Sequence, residues 1–450
     1  MSFLDRQRTV AGPGFNRWLV PPAAIAVQMC IGEIYGFSVF NVPLTRLVGI
    51  TTSVPGQDFT IPQVGWVYSL ALIMLGLSAA LLGKWVERSG PRMTMFTSAV
   101  CFCGGLVLAS VGVQLHSLAL IYVGYGLVGG IGLGLGYIAP VSTLVKWFPD
   151  RPGMATGMAI MGFGGGALVG APVGVELIAH FRTANSTGVR ESFMAMAAGY
   201  FVMMSFGALL VRVPAPDWEP EGFVAPAPRA RVTTGHILAD QAVKTPQFWL
   251  LWAVLCLNVT AGIGILGQAA LMAQDMFGVS PAVAGGFAGL LSIFNMGGRF
   301  LWSSASDLTG RKMIYVVYFV LGCALYLLIP LTQRSGSMPL FVTVTAVVIS
   351  MYGGGFATIP AYLRDLFGTL QVGAIHGRLI TAWSMAAVLG PQLVNYISTY
   401  QKEHGVPKAE AYNTTMYVMA GALLVGLACN LLVRPVDARH QLSPAEGERA

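Results

Sequence analysis

Long runs of apolar residues, separated by short polar turns, recur along the whole of this 450-residue chain. A helix needs about 20 consecutive apolar residues to cross the hydrocarbon core of a bilayer. The pattern predicts twelve spanning helices, near residues 18–47, 63–85, 93–113, 118–142, 153–180, 192–213, 247–275, 281–305, 313–332, 338–361, 374–398 and 412–433. The predicted fold class is therefore an all-α membrane protein.

The composition and the placement of positive charge support this interpretation. Only 10% of the residues are charged, whereas soluble proteins carry about 25%. If the N-terminus is cytoplasmic, 19 of the 26 lysines and arginines lie on the inner side and 6 on the outer side. Because inner loops are enriched in positive charge, we predict a multi-pass protein of the cell inner membrane with both termini cytoplasmic. The net charge of +7 follows these loops and indicates no nucleic-acid partner.

A shift of 220 residues aligns the chain with itself. Acidic, glycine, basic and proline positions then coincide, pairing Glu87 with Asp307, Gly90 with Gly310, Arg92 with Lys312, Pro140 with Pro360, and Gly157 with Gly377. An ordered set of matches at one offset indicates two homologous six-helix halves. The predicted organisation is a cytoplasmic N-terminal tail (1–17), a six-helix bundle (18–213), a proline-rich cytoplasmic linker (214–245), a second six-helix bundle (246–433) and a cytoplasmic C-terminal tail (434–450).

Arg299 is the one charged residue inside the eighth predicted span. A charge at that depth is costly, and such residues usually face a cavity or a partner. The planar guanidinium matches a carboxylate through two parallel hydrogen bonds, so Arg299 is a candidate binding site for a small organic carboxylate. In the alternative interpretation, Arg299 extends its side chain to the inner surface, because it lies only about eight residues, roughly 12 Å, before Asp307.

Glu33 is the only acidic residue near the middle of the first predicted span. Buried without a cation, it is a candidate proton carrier. Paired with Arg299 in the empty carrier, it would stay ionised and act as a counter-charge. A structural hydrogen bond to a neighbouring helix is the third alternative.

No pattern typical of an enzyme is present. The six cysteines fall in or beside apolar runs and lack the spacing of structural zinc motifs. We find no nucleophile–base triad, metal-ligand cluster or nucleotide-binding loop. The chain is predicted to be no enzyme and to hold no metal, cofactor or disulfide.

Two polar turns at equivalent places in the repeat are predicted to form an inner gate. The set comprises Gly83, Glu87, Arg88, Gly90 and Arg92 in the first half, and Asp307, Gly310 and Arg311 in the second. Pairing of Glu87 with Arg88 and of Asp307 with Arg311 is expected to latch the inner side.

Twelve spans in two halves with this paired motif resemble the major facilitator superfamily. Within it, the chain resembles the oxalate–formate antiporter family and the monocarboxylate transporters. That closer resemblance is carried by Tyr35–Phe40, Lys146–Gly153, Arg299, Thr381–Ser384 and Gly390–Pro391.

The resemblance implies roles for several residues. Arg299 would bind the substrate carboxylate, and Tyr35, Tyr352 and Phe356 would box the substrate in. Trp383 stands where the oxalate carrier has a lysine, which argues for a monoanion or for a dicarboxylate with its other end solvated. Asn295 stands where proton-coupled monocarboxylate transporters often have an aspartate.

Trp383, Asn295 and Tyr137 complete the candidate substrate-binding residues. The expected function is secondary active transport of small organic anions, of the monocarboxylate or oxalate/formate type, by alternating access. The expected partners are the anion, the lipid bilayer and protons, with no obligate protein partner. The alternatives are a proton-coupled carrier of a drug or sugar and, less favoured, a transporter-like sensor.

Overall fold

A computed structural model describes residues 4–216, 218–223 and 235–442. Of the predicted linker, residues 217 and 224–234 lie outside the described part of the chain. The same is true of residues 1–3 and 443–450 in the two predicted tails.

The described residues are almost entirely helical. The α-helices before the linker are α1 (Val20–Gly32), α2 (Ser38–Leu44), α3 (Ile61–Ser89), α4 (Pro91–Gln114), α5 (Leu118–Ile121), α6 (Gly130–Trp147), α7 (Pro152–Phe181) and α8 (Val189–Leu210). Those that follow are α9 (Ala239–Ala242), α10 (Pro246–Phe277), α11 (Pro281–Thr309), α12 (Arg311–Arg334), α13 (Met338–Phe367), α14 (Val372–Leu379), α15 (Thr381–Glu403) and α16 (Asn413–Leu432). Within the described ranges there is no strand, only isolated bridges between Val10 and Val213 and between Thr183 and Ser186.

Two of the predicted spans contain irregular turns. A 3-10 helix over Glu33–Gly36 follows α1, and a π-helix over Tyr122–Gly129 joins α5 to α6. Further 3-10 turns cover Arg6–Thr9, Arg17–Leu19 and Ala438–His440.

Eleven helical segments of the described chain are long and apolar enough to cross a membrane. The all-α membrane class is therefore confirmed. The eighth predicted span, α11, has 29 residues but is not among the eleven. It carries Asn295 and Arg299, whose polar side chains lower its mean hydropathy.

The two turns that the repeat pairs have the same backbone conformation. Gly90 has φ +82° and Gly310 has φ +88°. Each glycine ends one long helix and begins the next, α3 to α4 and α11 to α12. A positive φ is strained for residues with a Cβ atom, which explains glycine at both positions.

Side-chain caps fix where several of the long helices begin. The hydroxyl groups of Thr60, Thr245, Ser280 and Ser337 each accept a hydrogen bond from a backbone N–H three residues later. Each cap is followed within two residues by a proline, which suits the first helical turn because its missing N–H has no partner there.

The described chain divides into two compact units. The first unit comprises Met1–Pro149, Gly162–Glu221 and His376–Thr381, and the second comprises Asp150–Met161, Gly222–Ile375 and Ala382–Ala450. They differ from the predicted six-helix halves in two short segments. Residues 376–381 lie 220 positions after residues 156–161, so both differences fall at equivalent places in the repeat. The division of the chain into two homologous six-helix halves stays a prediction.

Candidate functional site

Arg299 lies in the core of the second unit with 0% of its side chain exposed. Its Nε donates to Asn295 Oδ1 at 3.2 Å, one turn earlier on α11, and its Nη1 donates to the carbonyl oxygen of Ile160 at 3.2 Å. The side chain therefore runs back towards the start of α11, the usual direction for a long helical side chain. This geometry does not fit an arginine that extends past Asp307 to reach water.

An aromatic pair of the second unit lies beside this arginine. The Arg299 guanidinium carbon is 5.0 Å from the centre of the Phe356 ring. The Phe356 and Trp383 rings are 5.3 Å apart at 60°. Of the predicted site residues, the second unit thus gathers Arg299, Asn295, Phe356 and Trp383.

Tyr352 of α13 also lies in the second unit. It is buried and packs against Gly262 of α10, where an added Cβ atom would lie 2.5 Å from the tyrosine Cβ. It also lines a small cavity with Asn258 and Tyr326. Tyr352 and Phe356 are four residues apart on α13, and the Phe356 ring lies against the guanidinium.

Close backbone packing of α11 against α13 holds Arg299 in place. A Cβ atom at Gly353 would lie 2.3 Å from the backbone oxygen of Asn295 and 3.1 Å from Arg299 Cγ. A Cβ atom at Gly298 would lie 2.1 Å from the backbone oxygen of Ser350. Larger side chains at these glycines would force the two helices apart.

The first unit contains the other two predicted aromatics. Phe163 of α7 touches both, with its ring centre 5.2 Å from Tyr35 and 5.7 Å from Tyr137. The centre of the Tyr137 ring is also 5.5 Å from that of the buried His376. The backbone oxygen of Tyr137 accepts a hydrogen bond from Gln28 Nε2 at 3.0 Å.

Phe163, His376 and Gln28 were missed by the sequence analysis. Phe163 lies between glycines in the fifth span, and this aromatic within a glycine-dense run was the available signal. Gln28 and His376 were detectable only as polar residues in or at the edge of apolar spans.

Glu33 of the first unit is 1% exposed. The Tyr125 hydroxyl donates a hydrogen bond to Glu33 Oε2 at 3.1 Å. No lysine, arginine or histidine in the described chain forms an ion pair with this carboxyl group.

The predicted inner-gate residues form charge pairs in both units. In the second unit Arg311 binds Asp307 at 2.6 Å and Asp365 at 3.2 Å. Asp307 also accepts hydrogen bonds from the backbone N–H groups of Gly153 and Met154 in the first turn of α7, both at 2.9 Å. The expected pairing of Asp307 with Arg311 is therefore present.

The expected pairing of Glu87 with Arg88 is wrong. Glu87 binds Lys146 of α6 at 2.6 Å. Neighbouring residues on a helix point in different directions, which disfavours a pair between Glu87 and Arg88. Arg92 is buried and donates to the carbonyl oxygen of Leu209 at 3.3 Å.

Comparison with known proteins relates residues 15–450 to one family of transporters. A family model described as Major Facilitator Superfamily matches residues 15–391 and 269–450. The chain is 25% identical to the oxalate:formate antiporter of Oxalobacter formigenes over 438 residues, covering 96% of each chain. It is 25% identical to monocarboxylate transporter 4 of Rattus norvegicus, covering 80% of this chain and 74% of that protein.

Among solved structures, the fold is similar to that of the transporter FucP in its outward conformation. The TM-score is 0.66 at 13% identity, and the match covers 93% of this chain and 100% of FucP.

Proposed function

Because the chain belongs to the Major Facilitator Superfamily, we propose that it is a secondary active transporter of small organic carboxylates. The carboxylate binds to Arg299, and the protein carries it across the cell inner membrane by alternating access, with both termini in the cytoplasm. The observation that carries this proposal is the burial of Arg299, with its guanidinium over Phe356 and anchored by Asn295.

The chemistry of the arginine explains the choice of substrate class. A guanidinium keeps its charge under all ordinary conditions and binds a carboxylate with two parallel hydrogen bonds. Asn295 and the Ile160 carbonyl orient its plane. Phe356 and Trp383 supply an apolar wall, as is common in sites for small ligands. Since Trp383 brings no charge, a monoanion such as formate, lactate or acetate is the preferred substrate.

The charged cluster around Arg311 supplies the proposed inner gate. Asp307 binds the first turn of α7 and Arg311 together, and Arg311 also binds Asp365. We infer that these contacts must break and re-form during each transport cycle. The names of the relatives indicate either exchange of anions or carriage of a monocarboxylate, and the assay below separates these modes.

The test is uptake of radiolabelled formate, oxalate, lactate and acetate by proteoliposomes, with and without a counter-substrate or a pH gradient. We expect at least one of these anions to enter. Arg299→Lys should weaken its uptake about tenfold or more, because a hydrogen bond to a charged group contributes about 1.5–3 kcal/mol.

The matched control is Arg334→Lys, which replaces an exposed arginine at the end of α12. It should transport like the wild type. If Arg299→Lys and Arg334→Lys behave alike, the arginine does not bind the substrate. Uptake of a sugar or a cationic drug in place of every anion would favour the alternative carrier function.

A further inference from the structure

Two irregular helical turns meet at a buried carboxyl group in the first unit. Glu33 begins the 3-10 turn over Glu33–Gly36, which interrupts the first span. Tyr125 belongs to the π-helix over Tyr122–Gly129 within the fourth span. π-helical turns are rare and occur frequently at functional sites. Here the two distortions bring the Tyr125 hydroxyl to 3.1 Å from Glu33 Oε2.

The carboxyl group is enclosed by close helix packing. Gly170 of α7 leaves room for the Glu33 side chain. A Cβ atom at position 170 would lie 2.8 Å from Glu33 Cγ and 3.3 Å from the Tyr200 hydroxyl. Next to Glu33 on α1, Gly32 faces the backbone of Phe163 so closely that a Cβ atom would lie 2.2 Å from its oxygen. These contacts agree with the 1% exposure of Glu33.

Two polar atoms of this cluster have no hydrogen-bond partner among the described residues. They are Glu33 Oε1 and the Tyr200 hydroxyl, and both are inaccessible to solvent. The other titratable groups that interact with the cluster are all neutral in their ordinary forms: Tyr125 in the π-helix, Tyr68 on α3, Cys30 on α1 and Cys103 on α4. No described cation balances a negative charge on Glu33.

We propose that Glu33, Tyr125 and Tyr200 form a proton-binding site that couples anion transport to proton movement. This inference rests on the proposed function and makes the carrier a proton–anion symporter. On this proposal the Glu33 carboxyl group binds a proton, which is the first of the three roles that the sequence suggests for it.

The chemistry follows from the hydrogen-bonding capacity of the two groups. An ionised carboxylate buried without a cation is strongly disfavoured, and uptake of a proton removes the charge. A tyrosine hydroxyl both donates and accepts hydrogen bonds. Tyr125 therefore donates to the carboxylate when Glu33 is ionised and accepts from the carboxylic acid when Glu33 is protonated. Either state of Glu33 keeps its hydrogen bond to Tyr125.

The first experiment measures protons and anions together. Proteoliposomes that contain a pH-sensitive dye are given a radiolabelled anion that the wild type transports. We expect a proton to enter with each anion, and accumulation to rise by up to about tenfold per unit of pH gradient. In Glu33→Gln, which mimics the neutral acid, the ratio of protons to anions should fall to zero.

The matched control is Glu176→Gln, at an exposed position of α7. It should keep the wild-type ratio of protons to anions. Proton-coupled transport that persists in Glu33→Gln would overturn the proposal, and so would anion transport by the wild type without any proton movement.

The second experiment does not depend on transport. Infrared difference spectroscopy of the purified protein in lipid at neutral pH detects the C=O stretch of a protonated carboxylic acid. We expect a band that is lost in Glu33→Gln, shifted in Tyr125→Phe and retained in Arg299→Gln.

These variants separate the two proposals. Suppose that neither the wild type nor any variant transports an anion, while the C=O band changes in the variants as expected. The carboxylate function then fails and the proton site stands. If the wild type shows no band that depends on Glu33, the proton site fails whatever the anion assay shows.

Discussion

The guanidinium carbon of Arg299 lies 5.0 Å from the centre of the Phe356 ring, and both side chains are 0% exposed. An aromatic face attracts a cation through its quadrupole, and this attraction is strongest where water is excluded. The Phe356 ring thus stabilises the guanidinium through its face. In the proposed function, this buried guanidinium is the group that receives the anion.

Phe356→Leu should weaken anion binding while leaving some transport. A desolvated cation–π contact contributes about 2 kcal/mol, and this sets the upper limit of its effect on binding, so we expect the KM for uptake to rise by up to roughly thirtyfold. Phe319→Leu is the control, because Phe319 is equally buried but packs against Gly426. Equal KM values for the two variants would show that Phe356 acts only as core packing.

Gly353→Ala should destabilise the protein and impair transport together. The new methyl group would lie 2.3 Å from the Asn295 backbone oxygen, so α11 and α13 must separate beside Arg299. Overpacking of this kind costs about 1–3 kcal/mol. Gly421→Ala is the control, since nothing lies within 4 Å of a Cβ atom there. Thermal unfolding and uptake of both variants test this, and a Gly353→Ala protein as stable as the control would contradict it.

Asp307→Asn should weaken the charge cluster at the start of α7. The amide keeps one acceptor oxygen for two backbone donors and loses its ionic pairing with Arg311. Because Arg311 still pairs with Asp365, we expect a loss of about 2 kcal/mol in unfolding free energy. Asp437→Asn removes an exposed ion pair with Arg439 and should change stability little. A stability loss of the same size in both would argue against the cluster as a latch.

Asp58 should make the loop after α2 sensitive to acid. Burial raises the pKa of Asp58, but the N–H groups of Val48, Val54 and Gly49 outweigh burial and hold the pKa below its ordinary value. A carboxyl group with a lower pKa in the folded state stabilises the fold above its unfolded value of about 3.9. That stabilisation is lost as the pH falls through the folded value.

The measurement is denaturant unfolding of the wild type and Asp58→Asn from neutral to acid pH. The stability difference should be constant above about pH 5 and should shrink below about pH 4. The exposed Asp437→Asn variant should show no such convergence. A difference that grows on acidification would mean that the sign of the linkage is wrong.

The helices and the two paired glycine turns were predictable because both depend on local chemistry. Gly90 and Gly310 needed only a turn signal at a constant offset, and their matching φ angles agree with it. Asp307 and Arg311 were predictable as partners because they are opposite charges only four residues apart, on the two sides of the turn at Gly310. Glu87 pairs instead with Lys146, a residue 59 positions later, and only tertiary packing determines that choice.

The irregular turns at Glu33 and Tyr125 could not be predicted. Apolar runs show where a span lies, but they do not distinguish an α-helical turn from a 3-10 or π-helical turn. The hydrogen bond between Glu33 and Tyr125 joins residues 92 positions apart. Tyr200 and Gly170 enter the same cluster from α8 and α7, so the neighbourhood of this carboxyl group exists only in the folded unit.

The wide winding over Tyr122–Gly129 also sets the register of the fourth span. Each residue of an ordinary α-helix advances by about 100° around the axis. If this stretch rewound by one residue, the side chains on one side of it would rotate by that angle relative to those on the other. Tyr125 would then swing away from Glu33. A small, local slip within a single helix would thus make or break one hydrogen bond to a buried acid.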